Sequence, residues 1–469
     1  MFQWTWPRPS ATSTSVGIPR SVGFSRCTWH ARHAQRGHPT QRGMLSVAIG
    51  SNRHHYVGGL RGHCHQTGAM ACLASTTRPR WWPHFSSTVR STALTARLGA
   101  MLGTAIGICF LTGLLSYYQY QPWSWLPQSA GPVWGYRLTQ GVHVATGMAA
   151  IPLLFVKLWS VYPNQFRWPP IKSIKHAVER FTVAILVGSA LVQVSTGFFN
   201  VLNWYPFRWD FLSVHYYLAY VVVGSVLLHI GVKLPDIVYG LQTKVAEGDV
   251  LTEIPWNENP ESHSNAGPLP PPVTPGISRR GVLAATGAGI GLVAITSVGQ
   301  TITPLEPIGL LAVRQRSKGP QGVPVSRTAE QAQVLAAATA RDWTLIIDGP
   351  HPYVLRLADI EAAAAHNDRF PISCVEGWSA GADWRGLLLL DVVRRAGGTE
   401  RSRIRFQSLE QGWPFNHSEM FGPQLSRALL ATHLNAERIN LDHGYPLRLI
   451  APNRAGVLNT KWLSRIEVL

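Results

Sequence analysis

Five long apolar segments constrain the fold of this 469-residue chain more than any other feature. Four lie at about residues 98–118, 135–158, 177–202 and 212–234, and a fifth runs from Gly281 to about Ile302. Each approaches the roughly 20 residues that cross a bilayer as a helix, and each carries too little charge for an ordinary core helix. The pattern predicts an all-α transmembrane bundle of four helices at residues 97–234 and a fifth anchor helix at residues 279–303.

The charge of the chain is distributed unevenly. Its formal net charge of +18 would suggest nucleic acid binding, but the first 96 residues contain Arg and His without a single Asp or Glu. We therefore expect no nucleic acid partner. Residues 1–96 show neither helical nor strand periodicity and are predicted to be a disordered basic leader. Such a leader fits an organelle transit peptide or translation from too early a start, and we favour the second.

Charges and aromatic residues between the spans predict an orientation. The basic side carries Arg90, Arg97, Lys157, Arg167, Lys172, Lys175, Lys233, Lys244, Arg279 and Arg280. The opposite side carries the tryptophans Trp123, Trp125, Trp134, Trp204 and Trp209. Because basic loops favour the cytoplasm, we expect a multi-pass protein of the cytoplasmic (plasma) membrane with a tryptophan belt in contact with lipid outside. Five spans then place residues 320–469 on the extracytoplasmic side.

Four histidines lie in or at the edges of the predicted spans, where ionisable residues are rare and usually functional. His215 and His229 are fourteen residues apart on one helix, which places them on one face about 21 Å apart. Geometry pairs His143 with His215 near the outer face and His176 with His229 near the inner face. Facing imidazoles are the ligand arrangement of bis-histidine haem b, so one or two haems are expected. For His176 and His215, near the interfaces, a solvated helix end is the alternative. The pattern resembles the cytochrome b subunits of respiratory dehydrogenases.

A polar, Pro-rich stretch separates the bundle from the anchor helix. Residues 235–278 are predicted to be a flexible cytoplasmic linker. It ends in Ser278-Arg279-Arg280-Gly281, which looks like a twin-arginine export signal retained inside the chain. The alternative is that both arginines only anchor the helix. If the domain that follows this helix acquires a cofactor in the cytoplasm, it must be exported in the folded state. The twin-arginine route exports folded domains, so the export signal would then be favoured.

Cys374 is the only cysteine in the last 360 residues and lies in the stretch FPISCVEGWSAGADWRG. A single thiolate here predicts a soft metal ligand or a nucleophile, and a buried free cysteine is the alternative. Short strand-like runs with a few helical stretches, IEAAAAHN and PQLSRALLATHL among them, predict a mixed, largely β domain over residues 320–469.

Motifs in this domain resemble those of the sulfite oxidase family. They are C-V-E-G-W-S, then W-R-G, then LDHGYPLRLIAP from Leu441, and NTKWL from Asn459. The resemblance implies a molybdopterin-binding domain in which Cys374 holds molybdenum and Glu376 and Trp378 line the pocket, although Trp378 also suits the core. Basic residues implied for the pterin phosphate are Lys461, Arg448, His443 and Arg327. The loop C-V-E-G-W is nearer to the C-V-E-A-W of bacterial methionine sulfoxide reductases than to the loop of sulfite oxidisers.

Together these features predict a membrane-bound molybdenum oxidoreductase. It is expected to perform two-electron oxygen-atom transfer on a small substrate outside the membrane and to exchange electrons through haem b with quinone or another redox partner. One alternative is a sulfoxide or N-oxide reductase in which electrons flow outward. The other is a haem membrane protein whose distal domain only binds partners.

Overall fold

The computed structural model describes residues 89–166, 171, 173–207, 209–245, 277–298, 301–312, 314, 319–412 and 415–469. The predictions for the leader before residue 89 and for the Pro-rich centre of the linker fall outside these residues.

Five long helices form the first part of the described chain. They are α1 (Thr92–Tyr120), α2 (Gly135–Val161), α3 (Ile174–Val201), α4 (Phe211–Gln242) and α5 (Arg279–Val298). All five are long and apolar enough to cross a membrane, judged by length and composition. Polar caps begin three of them, because Ser91, Ser173 and Asp210 each accept a hydrogen bond from a backbone amide of the first turn. The five apolar segments of the sequence are therefore helices, as predicted.

Helices α1 and α2 pack together, α4 packs against α1 and α3, and α5 packs against α2. Basic side chains join the helix ends at one end of the bundle. Arg90 Nε donates to the carbonyl of Trp159 (3.1 Å), and Lys157 Nζ donates to that of Thr95 (2.7 Å). Arg97 Nη1 donates to the carbonyl of Gly240 (3.0 Å). The start of α1 thus meets the ends of α2 and α4, and these contacts define the basic end of the bundle.

The distal part of the chain is mixed and largely β. Its strands are β1 (Thr344–Asp348), β2 (Tyr353–Arg356), β3 (His366–Ser373), β4 (Ser379–Leu388), β5 (Ile404–Ser408), β6 (His417–Met420), β7 (Leu429–Leu434), β8 (Glu437–Arg438), β9 (Arg448–Ile450) and β10 (Leu463–Val468). Its short helices are α6 (Leu335–Ala338), α7 (Leu357–Ala363) and α8 (Leu389–Arg395). One sheet has the order β2-β1-β10-β5-β6, with β1 and β10 parallel. The other has the order β3-β4-β7-β8, with β9 also paired to β7.

The prediction of a helix over PQLSRALLATHL is wrong in its second half. A 3₁₀ helix covers Gly422–Arg427, and Leu429–Leu434 forms strand β7. Five of the six β7 residues are buried, and the strand is paired with both β4 and β9. Burial on both faces and hydrogen bonds from two neighbours outweigh the helical propensity of Leu and Ala. The IEAAAAHN helix is shorter than expected, since α7 ends at Ala363 and β3 begins at His366.

The distal domain rests on the end of the bundle opposite the basic end. Asn453, buried before the last strand, accepts hydrogen bonds at Oδ1 from the backbone amide of Tyr136 (2.7 Å) and from Gln119 Nε2 (3.0 Å). Its own Nδ2 donates to the carbonyl of Ser129 (2.9 Å). These contacts join the end of α1, the start of α2 and the loop between them to the β-rich domain.

Candidate active site

Cys374 opens a tight turn, Cys374–Trp378, that joins β3 to β4. The amide of Cys374 donates to the carbonyl of Trp378 (2.9 Å), and the amide of Gly377 donates to the carbonyl of Cys374 (3.1 Å). Gly377 has a φ of +98°, a left-handed conformation that glycine adopts without strain. The sequence C-V-E-G-W therefore folds into a closed turn with the thiol at its first position.

The Cys374 thiol is buried among Phe370, Ile372 and Trp378 and is only 4% exposed. Burial, followed by the charge of Glu376, raises the pKa of this thiol to about 12. A thiol with so high a pKa is a poor free nucleophile near neutral pH, whereas a coordinated metal ion deprotonates it. Of the two reactive roles expected from the sequence, the burial favours the metal ligand.

A small hydrogen-bonded group surrounds the thiol. Ser326 Oγ lies 3.5 Å from Cys374 Sγ and donates to Glu376 Oε2 (3.2 Å). Trp378 Nε1 lies 3.1 Å from Ser326 Oγ and 3.2 Å from Glu376 Oε2, so its N–H can donate to either. Arg314 Nε is 3.4 Å from the same carboxylate oxygen. Burial raises the pKa of Glu376, an effect that Arg314 and the hydrogen bonds oppose. Trp378 is thus both a core residue and a donor at the site.

The basic residues predicted for the pterin phosphate lie close together, with His443 and Arg448 buried and Lys461 and Arg327 half-buried. Arg448 is 3% exposed, and its Nη1 donates to the carbonyl of His443 (3.0 Å). Its Nε has no hydrogen-bond partner among the described residues. Lys461 Nζ donates to the carbonyls of Asp442 (2.7 Å) and Arg327 (2.9 Å). Burial lowers the pKa of Arg448 to about 9 and that of Lys461 to about 7.

Buried cations held by neutral carbonyls are costly unless an anion joins them. In Arg448, the partnerless Nε marks one position where such an anion can accept a hydrogen bond. The cluster therefore fits the phosphate that ends a molybdopterin. His443 and Arg327 differ from the other two members. Burial and neighbouring cations lower the pKa of His443 to about 3, and its Nε2 is hydrogen-bonded to the carbonyl of Pro320. Arg327 forms an ion pair with the buried Glu410.

Arg454 is a second buried arginine of the distal domain. Its three nitrogens donate to the carbonyl of Leu458 (3.2 Å), to Gln424 Oε1 (3.1 Å) and to the carbonyl of Glu419 (2.7 Å). The side chain is fully engaged by its own fold. Arg454 is therefore a structural residue and contrasts with Arg448.

The structure brings the predicted outer histidine pair together. The ring centroids of His143 and His215 are 6.1 Å apart and nearly perpendicular. His143 Nδ1 lies 2.8 Å from the carbonyl of Cys109, and His215 Nδ1 lies 2.8 Å from Thr196 Oγ1. Such bonds at Nδ1 orient an imidazole, but His215 Nε2 lies 3.1 Å from Gln193 Nε2, so this amide would have to turn away before that nitrogen could bind a metal. A Cβ at Gly113 would come within 2.9 Å of the His143 ring. The pair fits two facing axial ligands of a haem.

The predicted inner pair is less complete. His176 lies in the first turn of α3 and is half-buried, and its Nδ1 has no hydrogen-bond partner among the described residues. His229 is half-buried on α4. Among the described residues, no ring contact joins His176 to His229 of the kind seen for the outer pair. The support for a metal-ligand site at the inner pair is therefore limited to His176 Nδ1, a buried nitrogen without a hydrogen-bond partner among the described residues.

Three residues absent from the sequence-based site bind the Cys374 turn from outside the β domain. Gln140 Nε2 and Asn200 Nδ2 both donate to the carbonyl of Val375, at 2.8 and 2.9 Å. Thr301 Oγ1, after α5, donates to the carbonyl of Gly377 (2.7 Å). In the sequence, Gln140 and Asn200 are visible only as polar amide residues, each within an apolar segment. Such a residue does not reveal which group its side chain binds.

Comparison with known proteins agrees with this geometry. Residues 331–469 match the family model described as an oxidoreductase molybdopterin binding domain. A mitochondrial sulfite oxidase of Drosophila melanogaster is 28% identical over 264 residues, which are 51% of this chain and 42% of that protein. The uncharacterized oxidoreductase YuiH of Bacillus subtilis is 32% identical over 129 residues, 27% of this chain and 64% of YuiH. The catalytic subunit of protein-methionine-sulfoxide reductase MsrP from Xanthomonas axonopodis pv. citri is 26% identical over 144 residues, 27% of this chain and 44% of that protein.

Residues 331–469 thus match a molybdopterin-binding domain and are similar to parts of sulfite oxidases and of a methionine-sulfoxide reductase subunit. The chain spans between about two fifths and two thirds of the length of these relatives. The family match begins at residue 331 and does not reach the helices.

Proposed function

We propose that this protein is a membrane-bound molybdenum oxidoreductase that transfers an oxygen atom to or from a small substrate and exchanges electrons with quinone through haem b. The observation that carries the proposal is that the Cys374 turn is hydrogen-bonded to the same end of the bundle in which His143 and His215 face each other. This arrangement supports a substrate site and an electron carrier that lie next to each other in one chain.

The chain's own residues divide the work at the substrate site. Cys374 would hold the metal, and Arg448 and Lys461 would hold the phosphate of the pterin. Glu376, whose carboxylate oxygen accepts from Ser326 and Trp378 and faces Arg314, would hold the turn in place beside the sulfur. When bound, the molybdenum cofactor supplies the two-electron oxygen-atom chemistry.

The direction of electron flow distinguishes two candidate functions. The similarity to sulfite oxidases supports oxidation of a substrate such as sulfite, with two electrons passed to the bundle. The C-V-E-G-W turn and the similarity to a methionine-sulfoxide reductase subunit support the reverse direction. The family match favours either enzyme over a distal domain that only binds partners.

One experiment tests both directions. The purified protein should contain molybdenum and show a b-type haem spectrum. Dithionite-reduced haem should then be reoxidised by a panel of sulfoxides and N-oxides if the protein is a reductase, whereas sulfite should reduce oxidised haem if it is an oxidase. A protein without molybdenum, made in a host that synthesises the cofactor, would refute both.

A cavity of about 390 Å³ supports a place for the quinone. It lies between α2 and the end of α5 and is lined mainly by carbon, with Trp134, Arg137, Gly141 and Ser297 among its residues. Its size and apolar lining suit a small ligand, and Arg137 supplies a donor at its wall. Gly141→Leu should fill the cavity and slow reduction or oxidation of haem by a quinone, while reaction with a soluble dye stays at the level of the wild type.

The membrane orientation also belongs to the proposal. The distal domain is proposed to lie outside the cytoplasm, and its position on the bundle end opposite to the basic one supports this orientation. An impermeant thiol label should reach a reporter cysteine near Gly398, at the exposed Thr399, in intact cells and miss one near Ser264. Changing Arg279 and Arg280 to Lys should retain the distal domain inside if these residues form a twin-arginine signal, and should change little if they only anchor α5.

A further inference from the structure

The carbonyl of Val375 receives two side-chain amides from two different helices. Gln140 reaches it from the second turn of α2 and Asn200 from the last turn of α3. Both amide side chains are buried, each at 8% exposure. A buried carbonyl that accepts two hydrogen bonds is held firmly, because its release leaves three polar groups without partners. Val375 follows Cys374 directly, so this clamp lies one peptide bond from the metal-ligating residue.

Each amide leads back to one histidine of the outer pair. Gln140 precedes His143 by three residues on α2, which places the two side chains on adjacent turns of the same helix face. Asn200 Oδ1 accepts a hydrogen bond from Tyr205 (2.9 Å), and the Tyr205 ring lies 5.6 Å from Phe211. Phe211 in turn lies 6.1 Å from His215. The two histidines are thus connected to one carbonyl by two separate series of contacts.

We infer that Gln140 and Asn200 form a permanent electron-transfer bridge between the outer histidine pair and the Cys374 turn. This inference rests on the proposed function, since it requires a haem at the histidines and a metal at Cys374. Each passage would move one electron, so that a haem held by the histidines would lose the electron that a metal held by Cys374 gains, or the reverse. Two passages balance one two-electron turnover of substrate.

The contacts around the bridge indicate that it does not open during turnover. Asn453 binds three groups of the bundle. Thr301 donates a hydrogen bond to the carbonyl of Gly377, two residues after Val375 in the turn. A domain that swings between two positions would have to break all of these bonds in each cycle. Electrons therefore cross at a fixed contact, and the distance between donor and acceptor stays constant.

The first test measures the clamp without reference to electron transfer. Gln140→Leu and Asn200→Leu each remove one donor to the carbonyl of Val375. Thr301→Val is the matched control for the second test, because it removes one donor to the carbonyl of Gly377 in the same turn and leaves the contacts to Val375 unchanged. Amide hydrogen exchange of the peptide that contains residues 374–378 should become about tenfold faster in each variant of the full-length protein, the effect of one lost bond to a buried carbonyl. Unchanged exchange in Gln140→Leu and Asn200→Leu would overturn the clamp.

The second test separates a bridge from a simple structural role. Haem is photoreduced by a flash, and its reoxidation by the cofactor at Cys374 is followed by haem absorbance, together with the haem midpoint potential. We expect a loss of rate in Gln140→Leu and in Asn200→Leu at unchanged potential, and the wild-type rate in Thr301→Val. An equal loss in Thr301→Val, or none in the other two, would overturn the bridge. A wild-type protein that lacks haem or molybdenum would instead refute the proposed function, while the exchange result would still decide whether the clamp exists.

Discussion

The molybdopterin domain and the helical bundle hold their functional residues in opposite ways. In the distal domain, the candidate site residues Cys374, Glu376 and Trp378 lie in one turn of five consecutive residues, and Arg448 and Lys461 lie in a second segment near the end of the chain. In the bundle, His143 and His215 belong to different helices and meet only through packing of the fold. A site built on consecutive residues leaves a motif in the sequence, whereas a site assembled from distant residues leaves only separate polar residues in apolar segments.

The largest expected effect is at Cys374. Cys374→Ser replaces the thiolate by a harder oxygen with a much higher pKa, so turnover should fall by roughly three orders of magnitude or more. Pterin content should survive, because the phosphate contacts are untouched. Turnover and pterin fluorescence of the denatured protein measure the two quantities. Near-normal turnover would show that the contiguous turn is not the metal site.

The same comparison predicts a separate loss in the bundle. His143→Ala and His215→Ala should each remove the outer haem, since no neighbouring residue supplies an axial imidazole. The haem-to-protein ratio, measured from the pyridine haemochrome spectrum, should fall, while molybdenum content stays the same. His351→Ala, an exposed histidine of the distal domain, is the control. A wild-type haem-to-protein ratio in both bundle variants would mean that His143 and His215 do not bind a haem.

Two buried arginines provide a matched pair within the distal domain. Arg448→Met should lower molybdopterin content about tenfold or more, because charge-assisted bonds to phosphate are lost. It should not lower the unfolding temperature of the cofactor-free protein, since an uncompensated buried cation is removed. Arg454→Met should lower that temperature by several degrees, because three acceptors lose their donor. Equal behaviour of the two variants would contradict the assignment of Arg448 to the phosphate.

The smallest expected effect is a change in pH dependence. Because burial lowers the pKa of Lys461 to about 7, the folded cofactor-free protein binds fewer protons here than the unfolded chain between pH 7 and the usual lysine pKa of about 10.4. In that window Lys461 makes stability increase with pH, and below pH 7 its penalty is constant. Lys461→Met should therefore flatten the rise of the unfolding temperature between pH 7 and 10. An identical slope in both proteins would mean that Lys461 is charged in the folded state.

Sequence reasoning succeeded where the physical signal is local. Apolar runs near 20 residues long predicted the five helices, and the turn-rich segment that begins at Cys374 is a turn in the structure, because both signals depend on neighbouring residues. The metal-ligand role of Cys374 stays a prediction. Strand β7 was mistaken for a helix, since Leu-Leu-Ala-Thr-His-Leu contains good helix formers and its strand partners lie far away in the chain. The amides of Gln140 and Asn200 could not be assigned a role for the same reason, as their common partner is the carbonyl of Val375.

The bonds that join the bundle to the distal domain at Val375 and Asn453 are formed by amides and carbonyls, which carry no net charge. Dissolved ions screen interactions between charged side chains, but they have little effect on buried hydrogen bonds between neutral groups. A chain docked in this way can work at one internal geometry in dilute and in saline surroundings. A contact formed by oppositely charged side chains would by contrast weaken as the ionic strength rises.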